Sequence, residues 1–295
     1  MFLLGVGIGS PWLVRDWMAA RPVAVDSRPS TAPSVREPYP LANQTRRMVE
    51  GFLGAAGSLP PAEEVSPKRK AGIPETALSR SICRETALRL EPELSKLKLE
   101  VGDPVVLRLF KEEGELEIWM KPGTEPYYTL FKIGRIAEAA GREGPKLREG
   151  DGQAPEGFYR IVADSLRPDT KHHLGIDLGY PNAYDRHHGR TGSDLLLHGG
   201  GDAAGSYALA EQAMDEVYTL VEAALRSGQG EVPVHLFPFR LTDRRMDRVV
   251  NGGSRWTDGW VNLKEGYDFF DNVRLPPQVG VGDGRYTFRL EGSEI

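Results

Sequence analysis

The spacing of apolar residues changes character along the chain. Val105 to Phe110 is a nearly unbroken apolar run, and Glu115 to Met120 largely alternates; the Lys111-Glu112-Glu113-Gly114 turn between them predicts a β-hairpin. Tyr127 to Ile133 predicts a third strand after Lys121-Pro122-Gly123. Further strands are predicted at Phe158–Val162, His173–Leu178, Asp194–Leu197, Val234–Phe239 and Arg285–Leu290. Helical spacing is found from Pro74 to Leu97, with Leu78, Ile82, Leu88 and Leu90 as apolar points. The main helix is predicted from Tyr207 to Leu225 on Ala213, Met214, Val217, Val221, Ala224 and Leu225, with Ser227-Gly228 as its stop. Two more helices are expected near Asp243–Val250 and Trp260–Phe270. Many short strands between Gly/Pro turns argue for a sandwich or barrel with helices attached, and there is no internal repeat.

The N-terminal third differs. Residues 1–20 hold an apolar segment broken by Ser10-Pro11 with no Lys or Arg before it. It reads as a weak export signal, an incomplete one or a disordered tail. Residues 21–98 have linker composition, rich in Pro, Ser, Ala, Arg and Glu, with short helices, one of them near Arg46 to Leu53. Residues 99–230 are predicted to form the main domain and 231–295 a C-terminal extension packed on it. The 295 residues are 40% hydrophobic and 27% charged, which is enough to bury a core. The net charge of -5 is spread without a basic stripe, which argues against a nucleic-acid partner. The single cysteine, Cys83, excludes an intrachain disulfide and a thiolate metal cluster, and reads as a buried or incidental thiol.

Candidate chemistry gathers in three glycine-punctuated stretches. Gly144 to Tyr159 and Gly179 to Gly192 are polar loops longer than a simple turn needs. His187-His188 in the second has no carboxylate or thiol set beside it that would argue for a metal pair. The third runs from Leu195-Leu196-Leu197-His198 through Gly199-Gly200-Gly201-Asp202-Ala203-Ala204-Gly205 to Ser206-Tyr207. Alone, His198 reads as a satisfied half-buried histidine and Ser206 as a helix N-cap. Together, with glycines allowing close backbone approach, they read as a base and a nucleophile. The amides of Gly205, Ser206 and Tyr207 at the expected helix start would then line an oxyanion hole.

These stretches, with Phe110–Glu113, Leu116–Trp119, Phe237–Asp243 and Asn262–Asp268, resemble the YkuD-type L,D-transpeptidase catalytic domain. The likeness is to its murein-acting branch, which includes the enzyme that releases lipoprotein from peptidoglycan, and it spans about residues 100–290. It implies an α+β, mostly β fold: a β-sandwich with a helix behind the active-site strand and a mixed C-terminal extension. It places the base at His198, the carbonyl that orients it at Gly199, and the nucleophile at Ser206. It also implies substrate contacts from Lys146, Arg148, Tyr180, Tyr184, Arg186, Arg190, Gly205 and Tyr207, with Lys146, Arg148, Arg186 or Arg190 facing substrate carboxylates.

The chain departs from the family pattern at two points. Cysteine is the rule where Ser206 stands, and serine is usual at Ala203. A thiol near a helix start and a histidine supplies abundant thiolate at neutral pH, whereas a hydroxyl must lose its proton during attack. Three readings stay open: an inactive binding homologue, an enzyme that works with Ser206, and an introduced Cys→Ser replacement. The resemblance implies peptidoglycan peptide stems as partner, with a murein-linked lipoprotein as a further one, no cofactor, and a periplasmic or cell-envelope location. The expected chemistry is acyl transfer or amide hydrolysis at diaminopimelate-containing stems.

Overall fold

In a computed structural model, residues 72–201, 203 and 205–290 are described. The expected export segment, the linker up to residue 71 and the short helix near Arg46 lie outside the described residues. The first element among the described residues is α1 (Ala77–Lys96), whose Thr76 N-cap and Ser79 exchange hydrogen bonds in a capping box. The strands β1 (Val105–Phe110), β2 (Glu115–Met120), β3 (Thr129–Ala139), β4 (Gly157–Ile161), β5 (Leu166–Thr170) and β6 (His173–Asp177) follow. After them come α2 (Ala183–His187), β7 (Leu196–Gly199), β8 (Tyr207–Leu209), α3 (Glu211–Arg226) and β9 (Val232–Phe237). The last described elements are α4 (Asp243–Gly252), α5 (Thr257–Val273), β10 (Gln278–Gly282) and β11 (Arg285–Arg289).

Nine strands form one curled sheet in the order β4-β9-β1-β2-β3-β8-β7-β6-β5, and β10-β11 is a separate hairpin. The curl turns on β3. Its first part pairs with β2 and its end, Ile136 to Ala139, pairs with β8. Among the described residues helices carry about as many residues as strands, so the fold is a mixed α+β one and the expected predominance of β is not borne out. The sheet is sandwich-like in that helices and its own curl cover both faces. Residues beyond 230 also do more than pack against the sheet, since β9 lies inside it, parallel to β1 and antiparallel to β4.

Strand β1 shows how the layers close. All six residues are buried. Val105, Leu107 and Leu109 enter the main core with Leu90 and Leu94 of α1 and Met214, Val217 and Val221 of α3. Phe110 enters a second, aromatic core with Phe158, Phe237, Trp260, Tyr267 and Tyr286. Continuous apolar character follows from burial on both faces. Arg108, also on that second face, is 1% exposed; it donates to Asp271 at 2.7 Å and lies 4.6 Å over the Tyr267 ring. Its charge is tolerated there because it is paired and faces aromatic rings.

The expected helix behind the active-site strand is α3, which packs on β6 and β7. It begins at Glu211 and not at Tyr207, because Tyr207–Leu209 pairs with both β3 and β7 as strand β8. Cys83, on α1, is half-buried; burial pushes its thiol up to about 11, as suits an unreactive packing residue.

Candidate active site

His198 and Ser206 sit at neighbouring strands of the sheet. In the parallel pairing of β7 with β8, Leu197 faces Tyr207 and His198 faces Ala208. One step outward, Leu196 donates its backbone N–H to the Ser206 Oγ at 3.0 Å. Ser206 thus lies one diagonal step from His198, at a Cα separation of about 8 Å from ordinary strand spacing and rise.

The imidazole of His198 is 2% exposed. Its Nδ1 lies 2.9 Å from the Gly200 carbonyl, and since a carbonyl only accepts, Nδ1 carries the proton and Nε2 keeps the lone pair. The orienting carbonyl is therefore that of Gly200, one residue beyond the Gly199 expected from the resemblance. Gly199 serves packing instead: a Cβ there would meet Met214 of α3 at 3.0 Å and His173 at 3.2 Å. Burial holds His198 below its ordinary value, His172 adds to this, and the Gly200 carbonyl works in the opposite sense. With its value lowered, the His198 imidazole is neutral at pH 7.

Ser206 is 7% exposed, and its backbone is tied on both sides: its N–H donates to Ala203 at 2.6 Å and its carbonyl accepts from Ala140 at 3.1 Å. Gly205, at φ 95°, makes the turn into it, a conformation that favours glycine. No helix begins at Ser206, so the expected N-cap role and helix-dipole contribution are absent; the N-cap of α3 is Ala210. Ser206→Ala is therefore expected to lower stability through a different route. The Leu196 N–H would lose its acceptor, and a drop of about 1–2 kcal/mol should be read in thermal unfolding.

The two long loops are bonded to each other and reach the strand that carries Ser206. Thr191 donates to the Leu147 carbonyl at 3.1 Å, and Ala154 donates to Ala140 at 2.9 Å, next to Ser206. The Tyr207 hydroxyl donates to the Pro155 carbonyl at 2.7 Å. Within the first loop Lys146 is 3% exposed and paired with Asp151 at 3.1 Å. Burial pushes the Asp151 carboxyl up, but the N–H groups of Leu147, Arg148 and Gln153 together with Lys146 hold it below the usual carboxylate range.

In the second loop Arg190 pairs at 2.8 Å with Asp185, which is itself fully buried and accepts from the Tyr159 hydroxyl. Tyr180 is buried, its hydroxyl pointing at the Lys146 and Thr191 carbonyls. Tyr184 stacks on Tyr286 at 4.2 Å. His188 lies 2.9 Å from the Gly284 carbonyl. Of the four cations expected to meet substrate, Lys146 and Arg190 are spent on internal ion pairs, while Arg148 and Arg186 are exposed. Arg186 also donates to the Pro181 carbonyl.

A cavity of about 370 Å³ is lined by Ala139, Lys111, Glu156, Arg142, Arg248 and Trp260 among others. Another, of about 770 Å³, lies between β4, β9 and the β10–β11 hairpin. Neither is lined by His198 or Ser206, although Ala139 of the first pairs with Tyr207.

Sequence reasoning missed three parts of this site: the Gly200 carbonyl, the acids Asp151 and Asp185 that claim the loop cations, and His172. The acids carried a signal, since each lies five positions from the cation it holds.

No family model matches the chain. Among curated proteins the chain is similar to "Putative L,D-transpeptidase YafK" of Escherichia coli K12, at 42% identity over 187 residues, covering 63% of this chain and 74% of that protein. The same protein of E. coli O157:H7 matches equally. Among solved structures it is similar to the helical cell shape determining protein Pgp2 of Campylobacter jejuni, at 15% identity and a TM-score of 0.37 over 68% of this chain and 84% of that one. Bd1075 of Bdellovibrio bacteriovorus gives 19% identity and a TM-score of 0.33 over 58% of this chain and 61% of that one. Structural likeness this loose carries no argument about function.

Proposed function

Because this chain belongs to the L,D-transpeptidase family, we propose that its His198–Ser206 site acts on peptide stems of peptidoglycan in the cell envelope, and that Ser206 leaves it a stem-binding protein with little acyl-transfer activity. The observation that carries this reading is the pair itself. A neutral imidazole, its Nδ1–H tied to the Gly200 carbonyl, leaves Nε2 free one strand away from a hydroxyl held by the Leu196 N–H.

The chemistry of such a pair with sulfur in place is acyl transfer. A thiolate attacks the carbonyl carbon of a stem amide, the C–N bond breaks, and the protonated His198 gives its proton to the leaving amine. A second amine or water then takes the acyl group and returns the nucleophile. With Ser206, the proton must leave the hydroxyl for His198 as the C–O bond forms, because no alkoxide is present beforehand. Two features deny Ser206 that help: His198 is held below its ordinary value, and no helix starts at the nucleophile. Arg148 and Arg186, the exposed loop cations, are the groups left to meet stem carboxylates.

The second reading is a serine enzyme on a cysteine-type scaffold. It is favoured by the same Leu196 N–H, which would stabilise a developing alkoxide. Incubating the chain with disaccharide-peptides and resolving products by mass spectrometry, beside Ser206→Cys and Ser206→Ala, separates the two. Binding without product in the unmodified chain and product in Ser206→Cys is expected. Turnover by the unmodified chain that disappears in Ser206→Ala would establish the serine enzyme, and no binding in any form would end the peptidoglycan reading.

A further inference from the structure

We propose that His172 is a positioning residue for His198: the tip of the β5–β6 hairpin lays a second imidazole flat against the base and fixes the plane in which it works. The inference rests on the reading of His198 as the base of the site.

Four observations carry it. The two rings stack with centroids 4.7 Å apart and planes 29° from parallel. The hairpin tip is held tightly: Thr170 pairs with His173, the His172 N–H donates to Thr170 Oγ1 at 3.0 Å, and that hydroxyl donates to the His173 carbonyl at 2.7 Å. The tip is also anchored to α3, since His173 Nε2 lies 2.6 Å from the Asp215 carboxylate. Finally, the loop after His198 is shaped to admit the second ring. A Cβ on Gly201 would stand 2.3 Å from His172 Nδ1, and Gly201 has φ 70°. The His198 ring is thus fixed in its plane by His172 and along its Nδ1 direction by the Gly200 carbonyl.

An uncharged aromatic ring would stack as well, so the choice of histidine has an electrostatic consequence. A proton on His172 disfavours a second proton on His198. The other charged groups around His198 are Lys171 on the same hairpin and Glu138 on β3, with Glu211 and Asp215 on the side of α3. Glu138 favours the imidazolium, and His172 and Lys171 oppose it. Burial, the largest cause, and His172 beside it both hold His198 below its ordinary value.

The test is NMR titration of the histidine rings in the full chain, His198 being assigned by its absence in His198→Gln. In the unmodified chain His198 is expected to hold one tautomer, with the proton on Nδ1, and to titrate below an ordinary histidine. His172→Phe retains a flat ring, so the tautomer should persist while the midpoint moves upward. His172→Ala should lose the single tautomer signature with the hairpin amide signals still in place. Should His172→Ala disturb those amides, His172→Leu, of similar bulk with no flat face, takes its place. A single Nδ1–H tautomer that persists without a ring at position 172, with the hairpin amides in place, would overturn the proposal. In the Ser206→Cys background the acid limb of the acylation pH profile should move up with His172→Phe. Failure of Ser206→Cys to acylate at all would sink the functional reading but leave the ring titration to judge His172 by itself.

Discussion

Ser206→Cys is expected to turn a chain that forms no covalent adduct with a carbapenem into one that gains a single adduct, seen as a mass increase on the intact protein. Ser206 already makes one bond that would act on a sulfur in its place. The Leu196 N–H points at Oγ from 3.0 Å, and the same donor would face a sulfur at that position, where it favours thiolate over thiol. His198, neutral and on the neighbouring strand, can take the thiol proton, and the imidazolium so formed is an opposite charge that favours the thiolate. A preformed nucleophile in place of one that must be deprotonated in flight should raise the acylation rate on the order of 10³-fold or more. The exchange adds little volume, and Ser206 is fixed through its backbone, so thermal unfolding should change little. Ser206→Ala is expected to give no adduct. Labelling of the unmodified chain at a rate close to that of Ser206→Cys would show that oxygen is no handicap in this site.

How far the site could be read in advance depended on how local its determinants are. His198, the glycines and Ser206 lie within one short stretch, so their association was visible without a fold. The β1–β2 hairpin and the helices α4 and α5 were visible for the same reason, because period and turn chemistry are properties of neighbours in sequence. Tyr207-Ala208-Leu209 was not. Its apolar residues continue the helical spacing of α3, and only the pairing with β3 and β7 makes it a strand. That error carried chemistry with it, since a helix start would have supplied a dipole to Ser206 and a strand does not.

The β5–β6 hairpin was hidden in a comparable way. Its tip is Lys171-His172, with no glycine, asparagine or proline to announce a turn, and His173 takes φ 59° without being glycine. Pro168 in β5 also reads as a strand breaker. His172 could therefore not be connected to His198 before the fold brought the hairpin across the glycine-rich loop. Lys146 and Arg190 were misleading in the opposite direction. Basic residues on long loops suggest ligands, and here each closes a buried pair that stiffens its loop. Of the four expected cations, Arg148 and Arg186 stay exposed.

Lys111→Met is expected to destabilise the fold by about 3–5 kcal/mol, the effect of leaving a buried ion pair without one partner. Lys111 stands in the β1–β2 turn, and its ammonium reaches the carbonyls of Gly144 at 2.9 Å, Ala154 at 3.2 Å and Arg142 at 3.4 Å, as well as the Glu156 carboxylate at 3.1 Å. One side chain thus gathers both ends of the loop that approaches Ser206. Glu156 is 1% exposed on its side chain, and burial raises its carboxyl although Lys111 and the Trp260 indole N–H oppose this. A raised value means that its stabilising contribution is present at acid pH and is lost as pH rises through that value. Removing Lys111 takes away the opposing attraction and raises the carboxyl further. The deficit of the variant should therefore be smallest near pH 4 and grow towards neutrality, and denaturant unfolding at several pH values measures it. Lys111→Met combined with Glu156→Gln should recover part of the loss at pH 7, because no unpaired charge is then buried. A deficit that is flat with pH, or a double variant as unstable as the single one, would mean that the loop is held by its backbone contacts and that the ion pair contributes little.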